Sequence, residues 1–418
     1  MVTMSTSKKV LAVLVLLSSI FLYYYRTGSM SSSQKLVVVL GGGVVGLQTA
    51  VDLLEAGYAV TLLSKHLPGD EDPHYPSQQA AATWASDEPA VDAETKQWYD
   101  EGYKRWDEMS NGAEFKSAGV TRRPCFRYWE EPPRGGESAL WHSSGVSSFR
   151  ILDPPDLPSG VAFGTTFTTF CVNAPEYLNY LHNRIIALGG DVIRATLPTD
   201  QGLVKGLQAA LEVLKNKTSV VQEEDVYAYV NAMGEGGLRM AGDKGLFPIR
   251  SQSIHIRGEA HKIADRIGDS GIYYAIPRVG SGITVLGGFM EMGNWNETVN
   301  PEVNANILRG CKKLIPECLN EHGEFDVVAE FVGFRPHRKA GARVEIEQIK
   351  SLSGSGNITV VHNYAHGPGG FFKSVGASRK VVRLVDSLSS GIILDQNVSK
   401  KEEQEVFEGF YRQGKASG

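Results

Sequence analysis

An α/β fold is the architecture this sequence predicts, with a parallel, doubly wound sheet at its N-terminal end. Three observations predict it. Leu36 to Leu40 is a short apolar, β-branched run, as expected of a strand buried on both faces. Gly41, Gly43 and Gly46 follow as G-x-G-x-x-G, and a segment of helical spacing, Leu47 to Ala56, ends at Gly57. Ala59 to Leu63 is then a second apolar strand. A lone glycine motif is weak evidence. The order strand, motif, helix, glycine stop and strand is specific, because such a turn lets backbone N–H groups approach a pyrophosphate at a helix N-terminus.

Composition limits the alternatives. The chain has 418 residues, 42% of them hydrophobic and 21% charged, which is ordinary for a globular protein of two or three domains. It holds 46 glycines, where average usage would give roughly 30, consistent with tight turns and close backbone approach. A net charge of -5 argues against nucleic acid as a partner. Cys125, Cys171, Cys311 and Cys318 include no CxxC pair and are too few to staple the chain. On one helix, Cys311 and Cys318 would be about 10 Å apart along the axis, too far for a disulfide.

Val10 to Tyr25 is an uncharged stretch between Lys8-Lys9 and Arg26, just short of the usual ~17–25 residues of a spanning helix. Tyr23 to Tyr25 suit a membrane interface better than a cleavage site. A single uncleaved anchor in residues 1–33 is therefore expected, with a signal peptide and a buried helix as alternatives. Asn216, Asn296, Asn357 and Asn397 each begin an N-x-Ser/Thr sequon, which fits a secretory-pathway protein with its globular part lumenal or extracellular. Initiation at Met30 would instead leave the chain cytoplasmic or peroxisomal, although it lacks a Ser-Lys-Leu type ending.

Further along, Ala174 to Leu188 is expected as a helix and Asp225 to Val230 as a strand entering the small-residue turn Asn231-Ala-Met-Gly234. Asn357 to Tyr364 is expected as a strand leading into His366-Gly-Pro-Gly-Gly370, with a helix over Ser378 to Ser389. Three glycine-bearing turns at strand ends point to one shared site. Where an acidic ribose ligand is usual, this chain has Ser64, Lys65 and His66.

Together, five motifs resemble the D-amino acid oxidase family of FAD enzymes, which includes D-aspartate oxidase. They are Val39-Leu-Gly-Gly-Gly-Val-Val-Gly46; Ala80-Ala-Ala-Thr-Trp84; Val230-Asn-Ala-Met-Gly234 with Pro248-Ile-Arg-Ser-Gln252; Gly333-Phe-Arg-Pro336 with Arg343-Val-Glu345; and His362-Asn-Tyr-Ala-His-Gly-Pro-Gly-Gly370. The resemblance implies a Rossmann-like FAD-binding domain interleaved with an antiparallel-sheet substrate domain. The implied segments are 34–88, 165–250 and 330–400 for FAD and 89–164 and 251–329 for substrate, with a polar tail at 401–418.

By the same resemblance, Gly41, Gly43, Val44, Gly46, Ser64, Lys65, Ala82, Thr83 and Leu197 would line the FAD, with Gly369, Gly370, Phe371 and Phe372 near the flavin ring. Arg335 would grip the substrate carboxylate and Tyr274 would hydrogen-bond to it; Met290 and Pro368 would border the substrate. Arg suits a carboxylate because two N–H groups meet two oxygens. The implied reaction moves a hydride from the Cα of a D-amino acid to the flavin. Molecular oxygen then gives hydrogen peroxide, and the imino acid hydrolyses to a 2-oxo acid and ammonia. A glycine- or sarcosine-type flavin amine oxidase or dehydrogenase and a non-catalytic flavoprotein are the alternatives. A homodimer is compatible with the sequence.

Two departures from the family pattern bear on the site. Met290 stands where some fungal relatives have a second tyrosine, and Pro368 removes a backbone N–H from the last glycine loop. Arg266 lies one residue off the place where D-aspartate oxidases carry a side-chain-binding arginine. The residues themselves favour a surface role for Arg266, and a packing or hydrogen-bonding role for His362 and His366.

Overall fold

The two apolar runs around the glycine motif form neighbouring parallel strands, and the rest of a six-stranded sheet is built outward from them. The computed structural model describes residues 34–390, apart from 85–90, 134–135, 137–139, 219, 221, 269–270, 352–353 and 355. The expected anchor at Val10 to Tyr25 and the polar tail lie outside the described residues. Among the described residues, no helix is long and apolar enough to cross a membrane.

In the first sheet, β1 (Leu36–Leu40) pairs in parallel with β2 (Ala59–Ser64) and with β8 (Val226–Asn231). Strand β7 (Asp191–Arg194) extends the β2 edge in parallel, β15 (Asn357–Tyr364) extends the β8 edge in parallel, and β14 (Arg343–Lys350) closes it antiparallel. The alternation of β1 shows why both faces are covered. Val37 and Val39 point into a core with α1 (Val44–Glu55), α4 (Ala174–Ala187) and α8 (Gly370–Ser390). Val38 and Leu40 point into a second core with α5 (Leu203–Lys217). Helix α2 (Ala93–Asn111) packs its Trp98, Tyr99 and Trp106 into the first of these cores, and the one-turn α3 (Phe115–Ala118) follows it.

The second sheet is larger and mixed. Its order runs from edge strand β13 (Val327–Arg338) through β9 (Leu246–Arg257), β12 (Ile283–Met292), β11 (Gly271–Arg278), β10 (Ile263–Gly268), β4 (Val120–Trp129) and β6 (Phe163–Val172) to β3 (Ala82–Thr83), with β5 (Ser147–Ile151) also on β6. Helix α7 (Pro301–Cys311) covers one face of this sheet, where Tyr273 packs so closely that a Cβ on Gly310 would meet its ring carbon at 2.4 Å. The other face turns toward the first sheet. The short α6 (Glu235–Ala241) follows β8.

Several expectations need revision. The last helix starts at Gly370, not at Ser378, because Pro368 sits in a 3-10 turn (Gly367–Gly369) that runs straight into α8. In a first turn the missing N–H of proline costs no helical bond. Strands β6 and β13, mostly within segments expected for the dinucleotide domain, hydrogen-bond into the second sheet instead. No disulfide joins the four cysteines; Cys311 ends α7 and Cys318 lies in the next 3-10 turn.

Helices α1 and α8 meet at Asp52, whose carboxylate accepts from Gln48 Nε2 at 2.9 Å and from the Ser378 hydroxyl. Burial outweighs these bonds and raises its pKa to about 6 from an ordinary value of 3.8. Between these values the folded chain holds a proton that the unfolded chain has released. The stabilisation is therefore complete below about pH 4 and is lost as pH rises through about 6, by on the order of 2–3 kcal/mol. Asp52→Asn is expected to flatten this part of the profile, read as urea midpoints between pH 4 and 7.5. Parallel profiles for the two proteins would show that Asp52 does not titrate this way.

Candidate active site

A cavity of about 510 Å³ lies between the two sheets, running from the glycine turn after β1 to the β11–β13 face of the second sheet. At its first end the backbone is packed against backbone. Gly41 has φ +114°, and a Cβ there would meet the Ala232 carbonyl oxygen at 2.4 Å. A Cβ on Gly46 would meet the Gly41 oxygen at 2.0 Å. Gly43 caps α1 in an extended conformation with no acidic residue in the first turn, so the positive end of the helix opens into the cavity. These features fit the pyrophosphate of a dinucleotide such as FAD.

Gly41, Gly43, Val44, Ser64, Lys65 and Leu197 line this end. Gly46 does not; its role is the close packing just described. Ser64 is already committed: its hydroxyl accepts from Gly42 N at 2.8 Å and donates to the His66 carbonyl at 2.7 Å, shaping the turn. Lys65, 57% exposed, is 4.0 Å from Asp72. Gly370, Phe371 and Pro368 line the cavity, whereas Gly369 and Phe372 do not. Helical geometry turns the Phe372 ring onto Tyr99, at 4.7 Å between centroids.

Ala82 and Thr83 also fall outside the lining, and Ala80 and Ala81 take their place. Strand pairing is the reason: Ala82 and Thr83 form β3 against β6, and the Thr83 hydroxyl donates to the Phe170 carbonyl at 2.8 Å. Arg278, 7% exposed, brackets the lining segment by donating to the Gln78 and Ala80 carbonyls at 3.4 and 3.2 Å. Its burial brings its pKa down to about 10.

At the other end, register decides which side chains meet. Tyr274 pairs with Gly287, which pairs with Ser253, which pairs with Phe331. Directly paired residues share a face, so Tyr274, Ser253, Phe331 and, two and four residues on, Gly333 and Arg335 face the cavity together. The Tyr274 ring crosses Gly287, where a Cβ would be 2.2 Å from its Cζ and hydroxyl oxygen. That path brings the hydroxyl oxygen within 3.4 Å of Arg335 Nη2, which donates to it. The phenolic proton stays available for a ligand.

Arg335 is half-buried and has no carboxylate partner among the described residues. The nearby acids are taken: Arg343 holds Glu345 and Glu347 at 2.7 and 2.9 Å, and Arg338 holds Asp243 at 2.7 Å. Met290 is opposite Ser251 across a bulge in β12 and does not line the cavity. Arg266 pairs with Tyr273, on the face away from Tyr274, and is bound to Glu130 at 2.8 Å. His362 and His366 hydrogen-bond to Glu347 and Asn363, each at 2.9 Å.

Sequence reasoning missed the segment from Asp72 to Gln79, which lines the middle of the cavity. The Pro73 carbonyl accepts from Phe334 N at 3.0 Å, the Tyr75 hydroxyl donates to the Gly42 carbonyl at 2.8 Å, and Ser77 Oγ accepts from Val44 N at 3.2 Å. Its signal was the cluster Pro73, Tyr75, Pro76 and Ser77 in a long strand connection.

Gly287→Ala is expected to push the Tyr274 ring off its path while leaving Arg335 in place. The affinity of the flavin-loaded protein for a small carboxylate, followed by flavin absorbance, should fall by about tenfold, the worth of one charge-assisted hydrogen bond. An unchanged affinity would mean that the phenol does not take part in holding the anion.

The comparisons with known proteins agree with this geometry. The FAD dependent oxidoreductase (DAO) family model matches residues 37–384. A D-amino-acid oxidase of Fusarium vanettenii is 32% identical over 365 residues, covering 83% of this chain and 95% of the relative. A D-aspartate oxidase of Talaromyces thermophilus is 29% identical, covering 82% and 93%. Among solved structures, a glycine oxidase from Bacillus cereus matches with a TM-score of 0.61 at 18% identity, covering 88% of this chain and all of that one. L-proline dehydrogenase from P. horikoshii matches with a TM-score of 0.61 at 14% identity, covering 90% and 98%. The glycine cradle, the two-sheet architecture and a family match across nearly all of the described chain place it in the FAD-dependent oxidoreductase family.

Proposed function

We propose that this chain is a D-amino acid oxidase, removing hydride from the substrate Cα and yielding a 2-oxo acid, ammonia and hydrogen peroxide. The observation that carries the reading is Arg335: a guanidinium in the cavity, with the Tyr274 hydroxyl beside it and no carboxylate partner among the described residues. Such a pair suits an amino acid's carboxylate, Arg335 presenting two N–H groups and Tyr274 one O–H. The curated relatives include D-amino-acid oxidases and a D-aspartate oxidase, which supports the same assignment.

FAD, when bound, supplies the hydride acceptor. The glycine turn, the α1 N-terminus and the β8 turn would hold its dinucleotide part, and Gly370 with Phe371 would border its ring. The chain's own contribution is to orient. Arg335 and Tyr274 fix the carboxylate, so the substrate Cα has one approach to the ring. Phe331, Pro336 and Pro76 make the nearby wall apolar, which limits water around the clamp and strengthens it. In this reading the first sheet and its helices form the FAD domain, and the second sheet with α7 forms the substrate domain.

We further propose that Val10 to Tyr25 anchors the protein with its catalytic part lumenal or extracellular. Asn216, Asn296 and Asn357 are exposed, which suits glycosylation at their sequons.

The test is anaerobic bleaching of the bound flavin by a panel of D-amino acids, L-amino acids, glycine and sarcosine, followed by peroxide release in air. Bleaching by D-amino acids is expected; bleaching only by glycine or sarcosine, or by nothing, would overturn the reading. Arg335→Ala is expected to cut the efficiency of flavin reduction by about two to four decades, from the ~3–5 kcal/mol cost of leaving a buried carboxylate without its partner. Arg335→Lys keeps the charge but not the two-pronged geometry and should recover only part. Arg338→Ala should leave most of the rate, because Arg338 serves Asp243. A larger loss in Arg338→Ala than in Arg335→Ala would move the clamp elsewhere.

A further inference from the structure

His74, Glu235 and Arg239 line the rim of the cavity and, with Glu297, form a charged cluster that the clamp does not use. Glu235 opens α6, lines the cavity and is 13% exposed at its side chain. One of its oxygens accepts from His74 Nδ1 at 2.8 Å and the other from Arg239. The second ring nitrogen of His74, Nε2, faces Glu297 at 3.1 Å. Both ring nitrogens face carboxylate oxygens, and a neutral imidazole has only one N–H, so the arrangement favours the imidazolium. Burial opposes that charge, but the hydrogen bonds to Glu235 and Glu297 outweigh it and leave the pKa of His74 raised. The His74 backbone N–H also donates to Asp72 at 2.8 Å.

This rim lies against both neighbours of the clamp. The His74 ring is 5.1 Å from that of Phe334, and a Cβ on Gly234 would be 3.4 Å from Pro336 Cγ. His74, Glu235 and Arg239 line the same cavity as Arg335 and Tyr274. There the cations His74 and Arg239 are matched by Glu235 and Glu297, and Asp72 has Lys65 at 4.0 Å. Other arginines of the second sheet are committed: Arg250 to the Asn296 and Thr298 carbonyls, Arg278 to those of Gln78 and Ala80, Arg127 to Asp265 and Arg266 to Glu130. A substrate's first carboxylate has Arg335; a second would meet a rim whose cations are already neutralised.

We propose that Glu235 is a specificity-determining residue: by neutralising Arg239 and His74 at the cavity rim, it restricts the site to amino acids that carry a single carboxylate. The inference rests on the oxidase reading above and on the rule that discrimination comes as much from what a site withholds as from what it offers. Glu235→Gln would leave the Arg239 guanidinium under-compensated and able to receive a second carboxylate, while His74 would lose part of what holds its proton.

The experiment uses the flavin-loaded full chain. One arm measures kcat/KM for D-methionine and D-aspartate. The other measures Kd for butyrate and succinate from perturbation of the flavin spectrum. For the wild type, preference for the one-carboxylate member of each pair is expected, by about 100-fold in kcat/KM. In Glu235→Gln that preference should shrink about tenfold in both arms. Glu235→Asp, which keeps the charge, should hold the wild-type preference within about twofold.

A wild type that takes D-aspartate as readily as D-methionine would overturn the inference and leave the oxidase reading intact. Equal loss of preference in the Gln and Asp variants would also overturn it, since shape and not charge would then be decisive. If no amino acid reduces the flavin, the oxidase reading fails; the butyrate–succinate arm still decides the charge argument. If Glu235→Gln does not fold, the wild-type preference decides it alone.

Discussion

Backbone meeting backbone at Gly41 is the contact on which the rest of this molecule depends. The turn after β1 presses on the turn after β8, and α1 starts so close to Gly41 that a single Cβ at Gly46 would fall 2.0 Å from a carbonyl oxygen. That approach brings the chain-distant turns after β1 and β8 together at one end of the parallel strands. It also leaves the open N-terminus of α1 facing a space that only a ligand able to accept from backbone N–H groups suits. Side chains there would keep the turns apart. The cofactor end of the site is thus defined by absent side chains, and the substrate end by present ones.

At the substrate end the constraint is register. A one-residue slip in β11 would send Tyr273 to the cavity and Tyr274 to α7, because neighbouring residues alternate between faces. Two tightly packed glycines oppose such a slip: Gly287 accepts the Tyr274 ring, and Gly310 on α7 accepts the Tyr273 ring. The position of the Tyr274 hydroxyl is fixed because each ring has its own slot on its own side of the sheet. Arg335 gains from the same logic. Its neighbours Arg338 and Arg343 hold the local carboxylates, so its guanidinium is left for an incoming anion.

Much of this was legible in the sequence, and the manner of the misses is informative. Patterns that act over a few residues were readable: the β1 run, the glycine motif and the helix after Asn173. The proposed clamp was suggested by a five-motif resemblance and not by any pattern of its own. What stayed hidden was set by contacts between distant segments. The loop from Asp72 to Gln79 takes its place from bonds to Gly42, Val44 and Phe334, none of which a local pattern encodes. Ala82 and Thr83 gave way to Ala80 and Ala81 because β6, almost ninety residues on, claims them as a strand. The early start of α8 was masked by Pro368, which reads as a breaker and serves as a first-turn residue. Rim charges were invisible for the same reason: His74, Glu235 and Glu297 come from three separate segments, the β2–β3 connection, the start of α6 and the β12–α7 connection.

The Arg335–Tyr274 pair is proposed to fix a carboxylate so that the adjacent carbon faces a flavin held by the glycine cradle. A crystal structure of the flavin-loaded protein with a bound 2-oxo acid tests this most directly. The account expects the carboxylate on Arg335 with the Tyr274 hydroxyl within hydrogen-bond distance, the pyrophosphate at the α1 N-terminus, and the ligand's second carbon in van der Waals contact with the flavin ring, ~3.5 Å away. A carboxylate bound elsewhere in the cavity, or a flavin whose ring lies away from the β11–β13 face, would contradict it.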